Sequence, residues 1–469
     1  MKFNIYFLTI LFVYIICQSQ PAKSQIRLAE LQNFHTGYIA SYVLPSKIGT
    51  GYRRVSVELG SPYVALANNA ISLGGIQRMM NSNKISIKEL DKAYNRMNDK
   101  NILYGGYETQ LLSVGINIKK RGSRAPIYVG FGIRNKTEMS LAYNRDLFSL
   151  LYKGNKQFAD QEITLSPNIQ LLEYTEYSLI GAYPLQINLF DSLKIKIKPA
   201  ARIRYLRSGL NINTKSSNST FYTEPKGQYL DLNFDYLVNA ASTIDTPDVN
   251  NMNANNLGLN TLLNKTAGTG LGIDLGVSAS LNEKIFVHLG LIDIGSIHYK
   301  RNTIQYASDK TYRYDGYPVY GFDKDINPSN SLDSLEEFSK PTQSYDPYNV
   351  ALPTKLIFML EYKMSKFIFK RMTTYKHNFS LTYVQGFRNY LSSSSKPILD
   401  IGYVYSMQNK INAGLHAFIG GHSRYGIGPQ VTLKLGQFRV GLLSNNMLGL
   451  IYPDRARGID IGMNLGINF

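Results

Sequence analysis

The sequence contains one cysteine, Cys17, no tryptophan, and a single long apolar run, Ile5 to Cys17. That run follows Met1 and Lys2, and Ala22-Lys23-Ser24 offers a small-residue cleavage site beyond it. Its 13 residues fall short of the roughly 20 that a membrane-crossing helix needs, so residues 1–24 are expected to be a signal peptide rather than an anchor. Tyr14-Ile15-Ile16 before Cys17 lack the small residue of a lipoprotein cysteine, so lipidation is not expected. Removal of the peptide leaves a mature chain without cysteine, which excludes disulfides and thiolate chemistry. The lack of a second apolar run excludes a helical membrane protein.

Negative charge is also scarce. Lys and Arg number 51 against 33 Asp and Glu, a formal charge of +18 that falls to +16 when Lys2 and Lys23 leave with the signal peptide. Such a surplus can serve nucleic acid, but no basic helix, zinc pattern or RNP-like stretch delivers it, so no nucleic-acid partner is expected.

What the chain has is tyrosine, 35 residues within an aromatic share of 12%, and a period of two. At the carboxyl end Ile459, Ile461, Met463, Leu465, Ile467 and Phe469 hold one parity, while Gly458, Asp460, Gly462, Asn464, Gly466 and Asn468 hold the other. An alternating strand that finishes on an aromatic residue fits the closing strand of a transmembrane β-barrel, where lipid-facing and lumen-facing residues alternate and tyrosine collects at the interfaces. Ile127 to Tyr143 repeats the pattern, as does Leu271 to Leu281.

Further candidate strands are Leu103 to Ile118, Ile169 to Tyr183, Leu193 to Ile212, Tyr229 to Asn239, a strand starting at Ile285, Thr354 to Tyr362, Asn378 to Phe387, Ile398 to Ser406, Ile411 to Ile419, Tyr425 to Leu435 and Phe438 to Ser444. The expected fold class is therefore all-β, an antiparallel transmembrane barrel of about fourteen strands, with even counts from twelve to sixteen acceptable. Connection lengths sort by side. Gly436, Met407 to Lys410 and Asn282 to Lys284 are short and share the carboxyl-terminal side, whereas Asn445 to Arg457, Arg388 to Pro397, Arg301 to Pro353 and Ala240 to Thr269 are long and lie opposite. Leu193 to Ile212 exceeds the roughly 9 to 11 residues that a bilayer requires, so the barrel is expected to project outward.

Residues 25–101 precede the first clear strand and are expected to form a plug or hatch within the lumen, with 102–469 as the barrel and 240–269 and 301–353 as its longest loops. In that first stretch Tyr52 to Leu59 reads either as a strand or as part of the plug, and Ser86 to Met97 reads as a helix. A second helical patch, Arg145 to Ala159, interrupts the barrel.

Taken with this organisation, GTGLGIDLG at Gly268 to Gly276, LGLIDIGSIHY at Leu289 to Tyr299 and LPTKL at Leu352 to Leu356 resemble the FadL-like outer-membrane barrels common in Bacteroidota, and more narrowly a family there of uncharacterised function. The resemblance implies a monomeric, Sec-exported outer-membrane barrel that passes small hydrophobic or amphipathic compounds, with a hatch and a lateral opening. Relatives of the fold also serve as accessory barrels in type IX secretion, so a scaffold that binds a secretion or surface-assembly partner is the alternative.

Candidate site residues follow from parity. Lys194, Lys196, Lys198, Arg202 and Arg204 share one face of a strand, opposite Leu193, Ile195, Ile197, Ala201, Ile203 and Tyr205. With the apolar set toward lipid, five cations line the lumen, either to attract a carboxylate or phosphate or to pair with acidic residues of neighbouring strands or the plug. Asp274, Asp400 and Asp460, with His416, fall on lumenal parity and are candidate partners. The remaining positive charge is expected to meet lipopolysaccharide phosphates. Asp293 shares parity with Ile285, Val287, Leu289 and Leu291, so either a bulge shifts the register there, the favoured expectation, or it sits beyond the bilayer edge. Asp323, Asp325 and Asn327 open like a calcium loop, but Pro328 and Ser334 stand where glycine and glutamate are required. No metal, cofactor or catalytic residue is expected, since none of His35, His288, His298, His377, His416 and His422 sits in a recognisable motif.

Overall fold

The computed structural model describes residues 28–33, 37–51, 54–81, 87–119, 126–189, 193–243, 266–281, 284–315, 340–368, 372–408 and 410–469. The expected signal peptide at 1–24, all of 244–265, the acidic stretch at Asp323 to Asn327 and part of the turn at Asn282 to Lys284 lie outside the described residues.

In chain order the strands are β1 (Val55–Asn68), β2 (Asn101–Ile118), β3 (Ile127–Tyr143), β4 (Glu162–Leu165), β5 (Asn168–Ala182), β6 (Leu185–Leu189) and β7 (Leu193–Ser217). Then come β8 (Ser219–Thr223), β9 (Leu230–Ser242), β10 (Gly268–Leu281), β11 (Ile285–Tyr299), β12 (Thr303–Tyr314), β13 (Thr342–Ser344) and β14 (Tyr348–Ala351). The last are β15 (Lys355–Ile368), β16 (Met372–Gly386), β17 (Ile398–Met407), β18 (Ile411–Gly420), β19 (Arg424–Leu435), β20 (Phe438–Leu443) and β21 (Gly458–Asn468). Fourteen of them, β1, β2, β3, β5, β7, β10, β11 and β15 to β21, pair side by side in one closed antiparallel ring.

The ring meets the expected count, but one member differs from expectation in each direction. Val55 to Asn68 belongs to the wall and not to a plug: β1 pairs with β2 on one side and seals the seam to β21 on the other. Its alternation is hidden because the register shifts between Glu58 and Tyr63, where Gly60 takes a left-handed φ of 56°. Ser56 and Glu58 point inward before the shift, whereas Tyr63, Ala65 and Ala67 do so after it. Conversely, Tyr229 to Asn239 lies outside the ring. β7 runs for 25 residues, about 80 Å at strand rise, and its far end from Leu210 to Ser217 pairs with β9. β9 pairs in turn with β12 and β8, and β4 and β13 flank them, so the same sheet extends beyond the ring at the long-loop rim.

The outer face carries the apolar parity. Leu271, Ile273, Leu275, Ile401, Leu415, Ile427 and Ile461 are all exposed, while Arg202, Arg204, Asp274, Asp400 and His416 are buried inside. Apolar side chains facing out and charges facing in is the inverse of a soluble protein, and it is stable only when lipid surrounds the ring. This is a transmembrane β-barrel of the outer-membrane type. Among the described residues no helix is long and apolar enough to cross a membrane.

Within the lumen lies a segment without strand pairing to the wall: α1 (Leu28–Gln32) and two short 3₁₀ turns, Ile39–Tyr42 and Pro45–Lys47. Every described residue from Leu28 to Ile48 is buried. α2 (Leu73–Asn81), α3 (Ile87–Arg96), α4 (Arg145–Lys153) and α5 (Leu448–Ile451) lie in the long connections. Asn144 caps α4 by accepting from the Leu147 N–H at 3.0 Å.

Candidate functional site

The cationic stripe of β7 divides into two parts. The Lys194 side chain lies outside the described set, Lys196 is exposed, and half-buried Lys198 donates to the Ile48 carbonyl at 2.9 Å with its ammonium 4.9 Å from the Tyr128 ring. Deeper in, Arg202 and Arg204 are wholly buried and neutralised. Arg202 meets Asp274 at 3.5 Å, and Arg204 meets Asp274 at 2.9 Å, Asp293 at 2.8 Å and Glu176 at 3.3 Å. Two adjacent guanidinium groups in a low-dielectric lumen require such carboxylates.

Asp293 reaches this hub through a bulge. β10 and β11 slip register between Ile273 and Leu275, so Ile292 and Asp293 together oppose Asp274. Asp293 adopts a left-handed φ of 58°, which its short polar side chain tolerates. Its N–H donates to Asp274 at 2.8 Å, and its carboxylate also faces Lys355 at 3.2 Å and Lys136 at 3.8 Å. Beside the hub a chamber of about 50 Å³ is lined by Tyr63, Tyr104, Arg134, Lys136, Glu138 and Lys355, among others. Its charges are paired: Arg134 with Glu108 at 3.3 Å and Lys136 with Glu138 at 3.2 Å.

Three wall carboxylates hold the lumenal segment, and each also has a basic partner on the wall. On β1, Glu58 accepts the N–H groups of Tyr38 and Ile39, and pairs with Arg439 of β20 at 2.9 Å. On β17, Asp400 accepts from Gln32 Nε2 at 2.6 Å and from His416 Nδ1 at 2.6 Å. On β15, Glu361 takes the Lys47 ammonium at 2.5 Å and His288 Nε2 at 2.8 Å, with Asn378 donating to its other oxygen at 3.1 Å. Asp460 serves differently: it accepts the backbone N–H of Asn445 at 2.5 Å, and Asn445 accepts from the Ala29 N–H at 3.1 Å. Of the candidates chosen by parity, Arg202, Arg204 and Asp274 thus come together, whereas Asp400 and His416, with Asp460 next to them across Ser444-Asn445, form a second cluster.

His416 offers no basic nitrogen. Nδ1 faces the Asp400 carboxylate at 2.6 Å and Nε2 faces the Ser444 carbonyl at 3.2 Å, so both ring nitrogens are occupied. Among the described residues no group of three or more His, Cys, Asp or Glu is placed to hold a metal.

The segment also rests on a row of small inward residues that pair across four strands, Ala182 with Ala200, Ala200 with Gly276 and Gly276 with Gly290. A Cβ on Gly276 would stand 3.0 Å from the Ser46 backbone nitrogen, and one on Gly290 would stand 2.6 Å from Leu44 Cδ2. The reverse face of the same row is an open apolar groove of about 750 Å³, lined by Tyr183, Pro199, Ala201, Leu275, Leu289 and Leu291 with the small residues themselves.

Comparison with family profiles matches residues 52–445 to DUF5723, a family of unknown function. The chain belongs to that family. The DUF5723 match begins just before β1 and ends just after β20, so it spans most of the ring. Comparison with curated proteins finds no match. Solved structures with a similar course include the Pseudomonas putida toluene transporter TodX, at 8% identity and a TM-score of 0.43 over 92% of this chain and 94% of that one. The Ralstonia pickettii toluene transporter TbuX gives 8% and 0.38 over 96% of each chain. A Pseudomonas aeruginosa FadL homologue gives 8% and 0.35 over 95% and 94%.

Proposed function

We propose that this DUF5723 barrel is a gated outer-membrane channel for small apolar or amphipathic compounds, with Leu28 to Ile48 as its plug. The carrying observation is that, among the described residues, no backbone-to-backbone hydrogen bond joins the segment to the wall: each contact uses a side chain, as at Gln32, Lys47 and the N–H groups of Ala29, Tyr38 and Ile39. It can therefore leave its place without breaking a wall strand. The apolar groove behind the small-residue row supports the choice of cargo, because an apolar compound displaced from the lumen there meets an apolar surface. The ionic hub then serves to brace the lumen.

Liposomes holding the mature protein test this reading. Deletion of residues 28–48 should raise single-channel conductance and the entry of a small aromatic hydrocarbon well above the intact protein. Equal, low flux in both would overturn it.

One observation favours a scaffold that binds a secretion or surface-assembly chain. The chamber beside the ionic hub holds only about 50 Å³, and strands β4, β8, β9, β12 and β13 stand beyond the ring. A large chain that co-purifies in fixed ratio, together with an impermeable deletion variant, would select this second reading. In the channel reading the protein acts as a monomer in contact with lipopolysaccharide.

A further inference from the structure

At the long-loop rim three arginines gather, and Arg424 lies beside Arg457 because Ser423 sits against Gly458. Arg96 ends α3, Arg424 opens β19 with a left-handed φ of 66°, and Arg457 immediately precedes β21. Arg457 is fixed in place: its Nη1 donates to the Asn69 carbonyl at 2.7 Å and its own carbonyl accepts the Asn68 N–H at 2.8 Å. Burial and the charges of Arg424 and Arg96 both act to lower its proton affinity. Among the described residues none of the three arginines forms an ion pair, and the nearby Asp454 is already taken by Arg78 at 2.5 Å. Like charges held together in this way call for an anion from outside the chain.

Apolar surface adjoins this cluster. Leu450, Ile451 and Tyr452 are 63%, 58% and 62% exposed, as open as the lipid-facing wall residues Leu271 at 66% and Ile401 at 62%. The Tyr425 hydroxyl donates to the Arg455 carbonyl at 3.1 Å, which ties this loop to the outer face of β19. Tyr425 itself faces outward, two residues nearer the rim than lipid-facing Ile427. The exposed patch therefore continues the lipid-facing band past the end of the wall, and the arginines sit where that band meets water.

We propose that this rim binds a phosphate-bearing lipid of the outer leaflet, with Arg424, Arg457 and Arg96 on the phosphate and Leu450, Ile451 and Tyr452 among the acyl chains. An arginine fork suits phosphate oxygens, and an apolar patch beside it distinguishes a lipid from a free anion. The site is separate from the lumen and does not depend on the channel reading.

The test uses the mature protein folded in zwitterionic detergent, with short-chain phosphatidic acid as the probe and short-chain phosphatidylcholine and inorganic phosphate as comparisons. Phosphatidic acid should bind saturably and at least about tenfold more tightly than either comparison. Both Arg424→Gln with Arg457→Gln and Leu450→Ser with Ile451→Ser should weaken it about tenfold or more, with conductance unchanged and folding checked by heat-modified gel mobility. Unaltered affinity in the arginine variant would overturn the proposal. So would inorganic phosphate binding as tightly as phosphatidic acid, which would mark a free-anion site. Should a variant not fold, native mass spectrometry of the wild-type protein extracted from its own membrane decides: a retained phosphorylated lipid is expected, and its absence sinks the idea.

Discussion

The Lys47 ammonium and the Glu361 carboxylate, 314 residues apart in sequence, meet at 2.5 Å inside the lumen, and both side chains are almost completely buried. Lys363 also lies 3.6 Å from this carboxylate, so removing it leaves the Lys47 and Lys363 charges without their shared counter-charge. Glu361→Gln should therefore destabilise the folded barrel by about 3 kcal/mol or more, read from urea unfolding in detergent. It should also expose Leu28 to Ile48 to added protease.

Gly276 and Gly290 separate two kinds of close approach. A methyl at Gly276 meets the backbone at Ser46, which cannot yield, whereas one at Gly290 meets the end of the flexible Leu44 side chain. Gly276→Ala should cost about 1–3 kcal/mol and raise basal conductance by displacing the segment. Gly290→Ala should cost less and leave conductance near wild type. The reverse ranking would show that the row is not the seat of the segment.

At Asp293 the backbone and the charge can be tested apart. Asparagine tolerates a left-handed φ, so Asp293→Asn should keep the bulge and lose only the ionic contribution, while Asp293→Val should add about 1–2 kcal/mol of backbone strain. Unfolding midpoints should fall in the order wild type, Asn, Val. Equal midpoints for the two variants would argue against a strained turn.

The long-loop end carries a pH-dependent contact. Glu89 on α3 meets Arg78 of α2 at 2.9 Å and Lys92 at 2.8 Å, and hydrogen bonds from Arg78 first and Lys92 next pull its pKa from 4.5 down to about 2. The folded value lies below the unfolded one, so this contribution is complete above pH 4.5 and is lost as pH falls from there toward 2. Amide protection in α2 and α3 should hold from pH 7 to 5 and decline below that, whereas Glu89→Gln should show lower protection without the acid step. A step of equal size in that variant would assign the transition elsewhere.

Much of the wall was legible because a strand buried on one face and bathed in lipid on the other must alternate, and Ile127 to Tyr143 or Leu271 to Leu281 do so with few breaks. β1 escaped because Gly60 flips its parity midway, and β9 was counted because a projecting strand alternates like a spanning one. Parity also places Arg202, Arg204 and Asp274 inside, although it says nothing of which strands neighbour them. Gln32, Lys47 and the N–H groups of Tyr38 and Ile39 had no signal at all, since they lie in irregular chain with no period. Their carboxylate partners Glu58 and Glu361 lie on strands but are no different in sequence from any other inward-facing acid.

Glu58 on β1 stands across the ring from Asp400 on β17 and Glu361 on β15, which β16 alone separates, and the three grip one central strip of chain from both sides. They act as spokes on a hub. A hoop of hydrogen-bonded strands resists stretching but flattens easily, and tension through three spokes keeps it round. The cross-section of this barrel is thus set partly from within, so freeing the strip would change the shape of the wall itself as well as unblock the hole.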